Sequence, residues 1–402
     1  MHLLGKVDVK DALWNSVDLF FGHDLPTAVA NLVLMLPSVP KSFGRLSEAN
    51  LSAFLALQGK QNPLGLPSRK SYAVILIDGL GVQNIKSAGA HASFLNNKLS
   101  SSKTLFAGFP TTTATSLASL ATGKGNGTHG FLGYRIFDRK LGKAINLLND
   151  LGEQLPPRDY QDLETISEIA SGLGINVVTV GPAEYAGSGF TEATMPASKY
   201  LAAKTIEERF EITSRELANP GSLIYLYVPE LDQLAHRFGV DSNNWLETLE
   251  ELDSVVSKFF TAIPKAAGAI LTADHGVIDV PKSNQIFLDE FASLKDILMI
   301  GGDPRAGYLY LEAGIDLISK RREIAAELAG LVDVVTVAEL VESGWFEPLS
   351  KAALRISPDL VLLPKSERVV YHRDFAKQKS LEMIGQHGGM TKAEWEVPLL
   401  VF

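Results

Sequence analysis

The chain has no cysteine in 402 residues. That excludes disulfides, thiolate-bound zinc, iron–sulfur clusters and a thiol nucleophile. It is also short of positive charge: 37 lysines and arginines face 46 aspartates and glutamates, a formal net charge of −9. Binders of nucleic-acid polymers neutralise phosphates with basic side chains, so that class is disfavoured. An anionic substrate would need a local positive field, such as a metal. Long apolar runs are missing too. The longest, Ala28 to Pro37 and Tyr72 to Ile77, fall far short of the roughly 18 residues of a membrane helix. Lys6, Asp8, Lys10 and Asp11 precede any apolar run, unlike a signal peptide. The expectation is a cytoplasmic protein with no membrane partner; these features do not specify an oligomeric state. Gly123-Lys-Gly-Asn-Gly-Thr fails the pattern of a phosphate-binding loop. Ala186-Gly-Ser-Gly-Phe lacks the first glycine of a serine-hydrolase elbow, and no His-Glu-x-x-His occurs.

What is present is globular. Hydrophobic residues at 46% against 21% charged exclude global disorder. The length suits two or three domains, or one large α/β domain with an insertion. Tyr72 to Asp78 is an apolar run ending in an acid, the pattern of a strand buried on both faces of a parallel sheet. Asn176 to Val180, Ser222 to Val228, Gly268 to Ala273 and Val397 to Phe402 repeat it. Helical patterns lie between, over Leu163 to Gly172, Ile206 to Leu217 and Trp245 to Ala262. Strand alternating with helix predicts an α/β fold with a large, mostly parallel sheet sandwiched by helices. Residues 1–70 read as an N-terminal extension packed on the core. Residues 71–276 and 381–402 read as the catalytic core, and 277–380 as an inserted, smaller α+β cap.

Ligand-type side chains gather at the ends of the apolar runs, where α/β sheets bind their ligands. Asp78 follows the first run, Asp232 and His236 the third, Asp274 and His275 the fourth, and His387 precedes the last. Asp-Gly after a strand is ordinarily a turn, and Asp-x-x-x-His ordinarily a solvated helix face. The shared strand-end position argues for more. Asp and neutral His suit zinc or manganese, and the 232/236 spacing puts two side chains on one helix face. The run Phe109-Pro-Thr-Thr-Thr-Ala-Thr-Ser starts a helix near Thr113 to Ser116. A hydroxyl there is ordinarily a cap, yet a helix N-terminus is also where an anion docks. The residues alone do not choose among Thr111, Thr112, Thr113 and Thr115 as a nucleophile.

In order, these motifs resemble the alkaline phosphatase superfamily, and within it the type I phosphodiesterase/nucleotide pyrophosphatase branch, from about residue 71 to the end. The resemblance implies an alkaline-phosphatase-like fold and Thr113 as nucleophile, three residues after Pro110 and ten before Gly123. It implies two divalent cations, zinc foremost with manganese also suited. Asp78, Thr113, Asp274 and His275 would hold one, and Asp232, His236 and His387 the other. Thr113 would attack phosphorus in line to form a phospho-threonine that water then hydrolyses, with the two cations clamping the attacking and leaving oxygens. The partner would be a small phosphate ester or nucleotide.

One departure stands out. The branch follows its threonine with Phe-Pro-Asn, whereas here Ala114-Thr115-Ser116 follows. Ser116 takes the place of the asparagine that holds a phosphate oxygen. Tyr134 is the second candidate substrate contact, although core packing is the more ordinary role for such a residue. His129 is expected to shape a turn and Asp253 to be structural. Arg305 is expected to be solvated or to reach an anionic substrate. Other readings of the chain are a phosphomonoesterase, a phosphonoacetate hydrolase or a phosphoglycerate-mutase-like enzyme on the same fold. A reading of a different class is a non-catalytic metal-binding or partner-binding protein.

Overall fold

A computed structural model describes residues 36–37, 39–40 and 42–402. Most of the expected N-terminal extension, residues 1–35 with 38 and 41, lies outside the described residues. Eight strands form the main sheet in the order Gly44–Arg45, Lys103–Phe106, Glu396–Val401, Ala267–Thr272, Ser71–Ile77, Ser222–Val228, Asn176–Gly181 and Lys199–Ala202. Only Glu396–Val401 runs against the others, pairing antiparallel with both neighbours. The architecture is therefore α/β with a large, mostly parallel sheet. Ser71–Ile77 is buried at all seven positions and Ala267–Thr272 at all six. Unbroken apolar runs such as Val74-Ile-Leu-Ile77 survive only where helices cover both faces of a sheet.

The helices start where local chemistry tells them to. Thr205 and Thr165 open capping boxes with Glu208 and Glu168, and Ser242 caps Asn243–Ala262. Asp253 accepts the Phe94 and Leu95 N–H groups at 3.0 and 2.8 Å, in the first turn of the helix Ser93–Leu99. Its role is structural, as expected. Within residues 42–70, the helix Ser47–Leu57 packs on the helix Thr113–Thr122 and on the strand Ser71–Ile77.

A second, wholly antiparallel sheet has the order Val332–Thr336, Leu360–Pro364, Ala306–Leu311, Ile297–Asp303, Arg135–Asp138 and Lys143–Asn146. Its apolar face, with Leu309, Leu360, Leu362 and Val334, packs on Ile324 and Leu328 of the helical segment after Leu317. The sheet is not confined to residues 277–380, because the hairpin 135–146 joins it where Arg135 pairs with Gly302. Further on, Ile278–Asp279 pairs with Gly385–Gln386. Among the described residues no helix is long and apolar enough to cross a membrane.

Candidate metal centre

The carboxyl ends of the central strands deliver the acids. Asp78 follows Ser71–Ile77, and Asp274 and His275 follow Ala267–Thr272. Asp232 and His236 lie one turn apart on the helix Glu230–Phe238, which follows the strand Ser222–Val228. Gly79 makes the convergence feasible: its φ is +73°, and a Cβ there would sit 3.1 Å from Asp232 Cβ. His387 lies on the loop between Gly385–Gln386 and the final strand. Thr113 is the first residue of the buried helix Thr113–Thr122.

All seven side chains meet. The ligand atoms of Asp232, His236 and His387 lie within 4.8 Å of one another, as do those of Asp78, Asp232 and His275. His275 Nε2 is 3.5 Å from Asp78 Oδ1, 3.4 Å from Asp274 Oδ2 and 3.3 Å from Thr113 Oγ1. His236 Nε2 is 3.2 Å and His387 Nε2 3.8 Å from the Asp232 carboxylate. The His275 and His387 rings stack at 3.7 Å.

The hydrogen bonds define what this cluster needs. His236 Nδ1 faces the Gly385 carbonyl at 2.7 Å, His387 Nδ1 the Thr111 carbonyl at 2.9 Å, and His275 Nδ1 the Gly276 carbonyl at 3.3 Å. A carbonyl only accepts, so each Nδ1 carries the proton, and in the neutral ring each Nε2 presents a lone pair. Those lone pairs point at carboxylate oxygens. Asp78 Oδ1, Asp232 Oδ1 and Asp274 Oδ2 are buried without a hydrogen-bond partner among the described residues. Acceptors facing acceptors in a buried site call for cations between them, and Nδ1 anchored on a carbonyl is how metal-binding histidines are oriented. The residues fit two divalent cations.

The electrostatics keep two of the three rings neutral. Burial pushes the Asp78 carboxyl well above its usual range, and the nearby Asp274 and Asp232 push it further. Asp274 rises to about 6, by burial and then by Asp232. Burial alone would raise Asp232 as well, but His236, His387 and His275 pull it below the usual range. Burial lowers His275 to about 4 and His387 to about 3, keeping both neutral. For His236 the Asp232 carboxylate outweighs burial and raises the pKa.

The substrate-side expectations fare differently. Ser116 is fully buried, and its hydroxyl donates to the Asp274 carbonyl at 2.8 Å. It braces the segment that carries Asp274 and His275. Tyr134 is half-buried at the mouth of the hairpin 135–146, and its N–H donates to Asp303 at 3.3 Å. Arg305 is neither solvated nor aimed at a substrate. It is 1% exposed and grips Glu394 through two bonds of 3.0 and 2.8 Å, while Nη1 donates to the Ser366 and Arg368 carbonyls. Glu394 in turn accepts the Gly389 N–H at 2.8 Å, two residues from His387. His129 shapes its turn: the Phe131 N–H donates to Nδ1 at 3.1 Å and Nε2 meets Ser119 Oγ at 2.9 Å.

Sequence reasoning missed two supports. Tyr227 donates its hydroxyl to Asp78 Oδ2. Thr111 holds the histidine loop, its hydroxyl accepting the Gly388 N–H at 3.0 Å and donating to the Gly389 carbonyl at 2.9 Å. Alternation along Ser222–Val228 puts Tyr227 and Tyr225 on one face, a signal that was available for the tyrosine.

Fold and site together define a hydrolase architecture of the alkaline-phosphatase type. The profile of the type I phosphodiesterase / nucleotide pyrophosphatase family matches residues 72–390, and the chain belongs to that family. Among solved structures it resembles murine ectonucleotide pyrophosphatase / phosphodiesterase 5, with a TM-score of 0.63 and 18% identity over 82% of this chain and 87% of that one. The human protein of the same name gives 0.63 and 15% over the same shares. Phosphonoacetate hydrolase from Sinorhizobium meliloti 1021, in complex with phosphonoformate, gives 0.62 and 18% over 84% of this chain and 91% of that one. No curated protein sequence matches significantly.

Proposed function

We propose that the chain hydrolyses phosphate esters in the phosphodiesterase / nucleotide pyrophosphatase manner, with two divalent cations and Thr113 as the nucleophile. The observation that carries the reading is the set of three histidine Nε2 lone pairs, those of buried His275 and half-buried His236 and His387, turned toward three carboxylates beside a threonine hydroxyl. Asp78, Asp274 and His275 with Thr113 would hold one cation, and Asp232, His236 and His387 the other. The donor set favours zinc and also accommodates manganese. When bound, the cations supply Lewis acidity and charge compensation.

The chain's own residues do the rest. Thr113 presents Oγ1 at the first turn of its helix, and the cap residue Thr112 makes no side-chain cap. The leading backbone N–H groups are thus left for an anionic phosphoryl group, aided by the helix dipole. Oγ1, having given up its proton, attacks phosphorus and breaks its bond to the leaving oxygen, which leaves a phosphoryl or nucleotidyl group esterified to Thr113; water then cleaves that ester and frees the threonine. The comparisons support the threonine: an inactive threonine-to-alanine variant of the murine protein was solved in complex with AMP. A phosphonate-cleaving reading is kept by the likeness to phosphonoacetate hydrolase.

The test compares bis-p-nitrophenyl phosphate with p-nitrophenyl phosphate on metal-reconstituted protein, with Thr113→Ala as the blank. The reading predicts diester cleavage above the blank. Cleavage of neither ester would refute it.

A further inference from the structure

Beside the ligand cluster lies a fourth buried carboxylate that the proposed chemistry does not use. Asp303 ends the strand Ile297–Asp303 at the tip of a hairpin and is 6% exposed. Its Oδ2 accepts the Tyr134 N–H at 3.3 Å, and the Thr112 side chain lies close by. Gly388 packs against it so closely that a Cβ there would stand 2.9 Å from Asp303 Cβ. Three segments therefore meet on this side chain. They are the residue before Thr113, the residue after His387, and the backbone of Tyr134.

Among the described residues no cation is ion-paired with Asp303. Burial pushes its carboxyl up to about 7, against the pull of the Tyr134 N–H, the Thr112 side chain and the more distant His236. Accepting one N–H does not require a carboxylate. Asparagine or serine would serve without the desolvation that a buried, unpaired charge suffers. Above about pH 7 the carboxyl is charged all the same, and such groups concentrate at functional sites.

We infer that Asp303 determines specificity in the proposed reaction: its negative charge, set against the segments that carry Thr113 and His387, selects a phosphoryl group bearing one negative charge over one bearing two. The inference rests on the proposed function. With two divalent cations bound, the three ligand carboxylates and an ionised Thr113 would balance their charge and leave the site neutral before substrate enters. A further negative charge on its rim then disfavours a monoester dianion more than a diester monoanion. Ser116, turned away onto Asp274, offers no donor to offset this.

The experiment measures kcat/KM for bis-p-nitrophenyl phosphate and p-nitrophenyl phosphate with wild type, Asp303→Asn and Asp303→Ser, alongside bound metal per chain. A second readout is calorimetric binding of inorganic phosphate to Thr113→Ala, with and without Asp303→Asn. The expected result is a monoester-to-diester ratio raised at least tenfold in both variants, tighter phosphate binding, and unchanged metal content. A ratio that stays put while both substrates lose activity in step would make Asp303 merely structural and overturn the inference alone. Wild-type protein that cleaves neither ester would overturn the proposed function, and the inference with it.

Discussion

Thr113 and the six Asp and His residues around it divide chemistry from assembly, and substitution separates the two. Thr113→Ala removes an attacking oxygen and no carboxylate or imidazole, so turnover should fall about a thousandfold or more while two metal equivalents stay bound; steady-state rates and elemental analysis check this. His236→Ala or Asp274→Asn should lose metal first, seen as lower stoichiometry after dialysis. Tyr227→Phe deletes the hydroxyl that steadies Asp78, and should weaken metal affinity about 10- to 100-fold with the fold intact, measured by competition with a chelator. His129 gives a pH prediction away from the ligands. Burial holds its pKa at about 3 against an ordinary 6.5, so between those values the unfolded chain binds the extra proton. Its contribution to stability is complete above pH 6.5 and is lost as pH falls toward 3, at about 1.4 kcal/mol per pH unit. Replacing His129 with Asn should flatten the acid limb of a Tm-against-pH curve.

Elements were legible from sequence where burial is two-sided. Ser222–Val228 and the helix Ile206–Leu217 match their expected bounds, because unbroken apolar runs and threonine caps are local signals. Thr113–Thr122 starts where the proline-threonine run suggested. The strands Gly44–Arg45, Lys103–Phe106 and Arg135–Asp138 were not legible. They are short and partly exposed, and long-range pairing defines them. The clustering of the candidate ligands was readable because each member follows or precedes a core strand. The Arg305–Glu394 pair was not, since its partners stand 89 positions apart. That pair joins the hairpin tip of the second sheet to the helical turn Lys392–Trp395 behind His387. Arg305→Ala would strand a buried Glu394, and should cost about 3–5 kcal/mol in a urea unfolding experiment.

For the whole molecule, the net charge of −9 and a buried cluster of acids mean that the proposed cations would contribute to stability as well as to chemistry. Removing metal leaves the carboxylates of Asp78, Asp232 and Asp274 facing one another. Chelated protein should therefore melt lower, and restoring free metal to a hundredfold above its Kd should return about 2.7 kcal/mol per independent site. An unchanged melting curve across that titration would deny the site its cations. The central claim, however, is that phosphorus passes through Thr113. Acid-quenching metal-loaded protein during turnover of bis-p-nitrophenyl phosphate, then mapping the peptide that spans Thr113 by mass spectrometry, tests it directly. The account predicts a p-nitrophenyl phosphoryl adduct on Thr113 that is absent in Thr113→Ala. Sustained diester turnover by Thr113→Ala, with no adduct on the wild-type peptide, would contradict it.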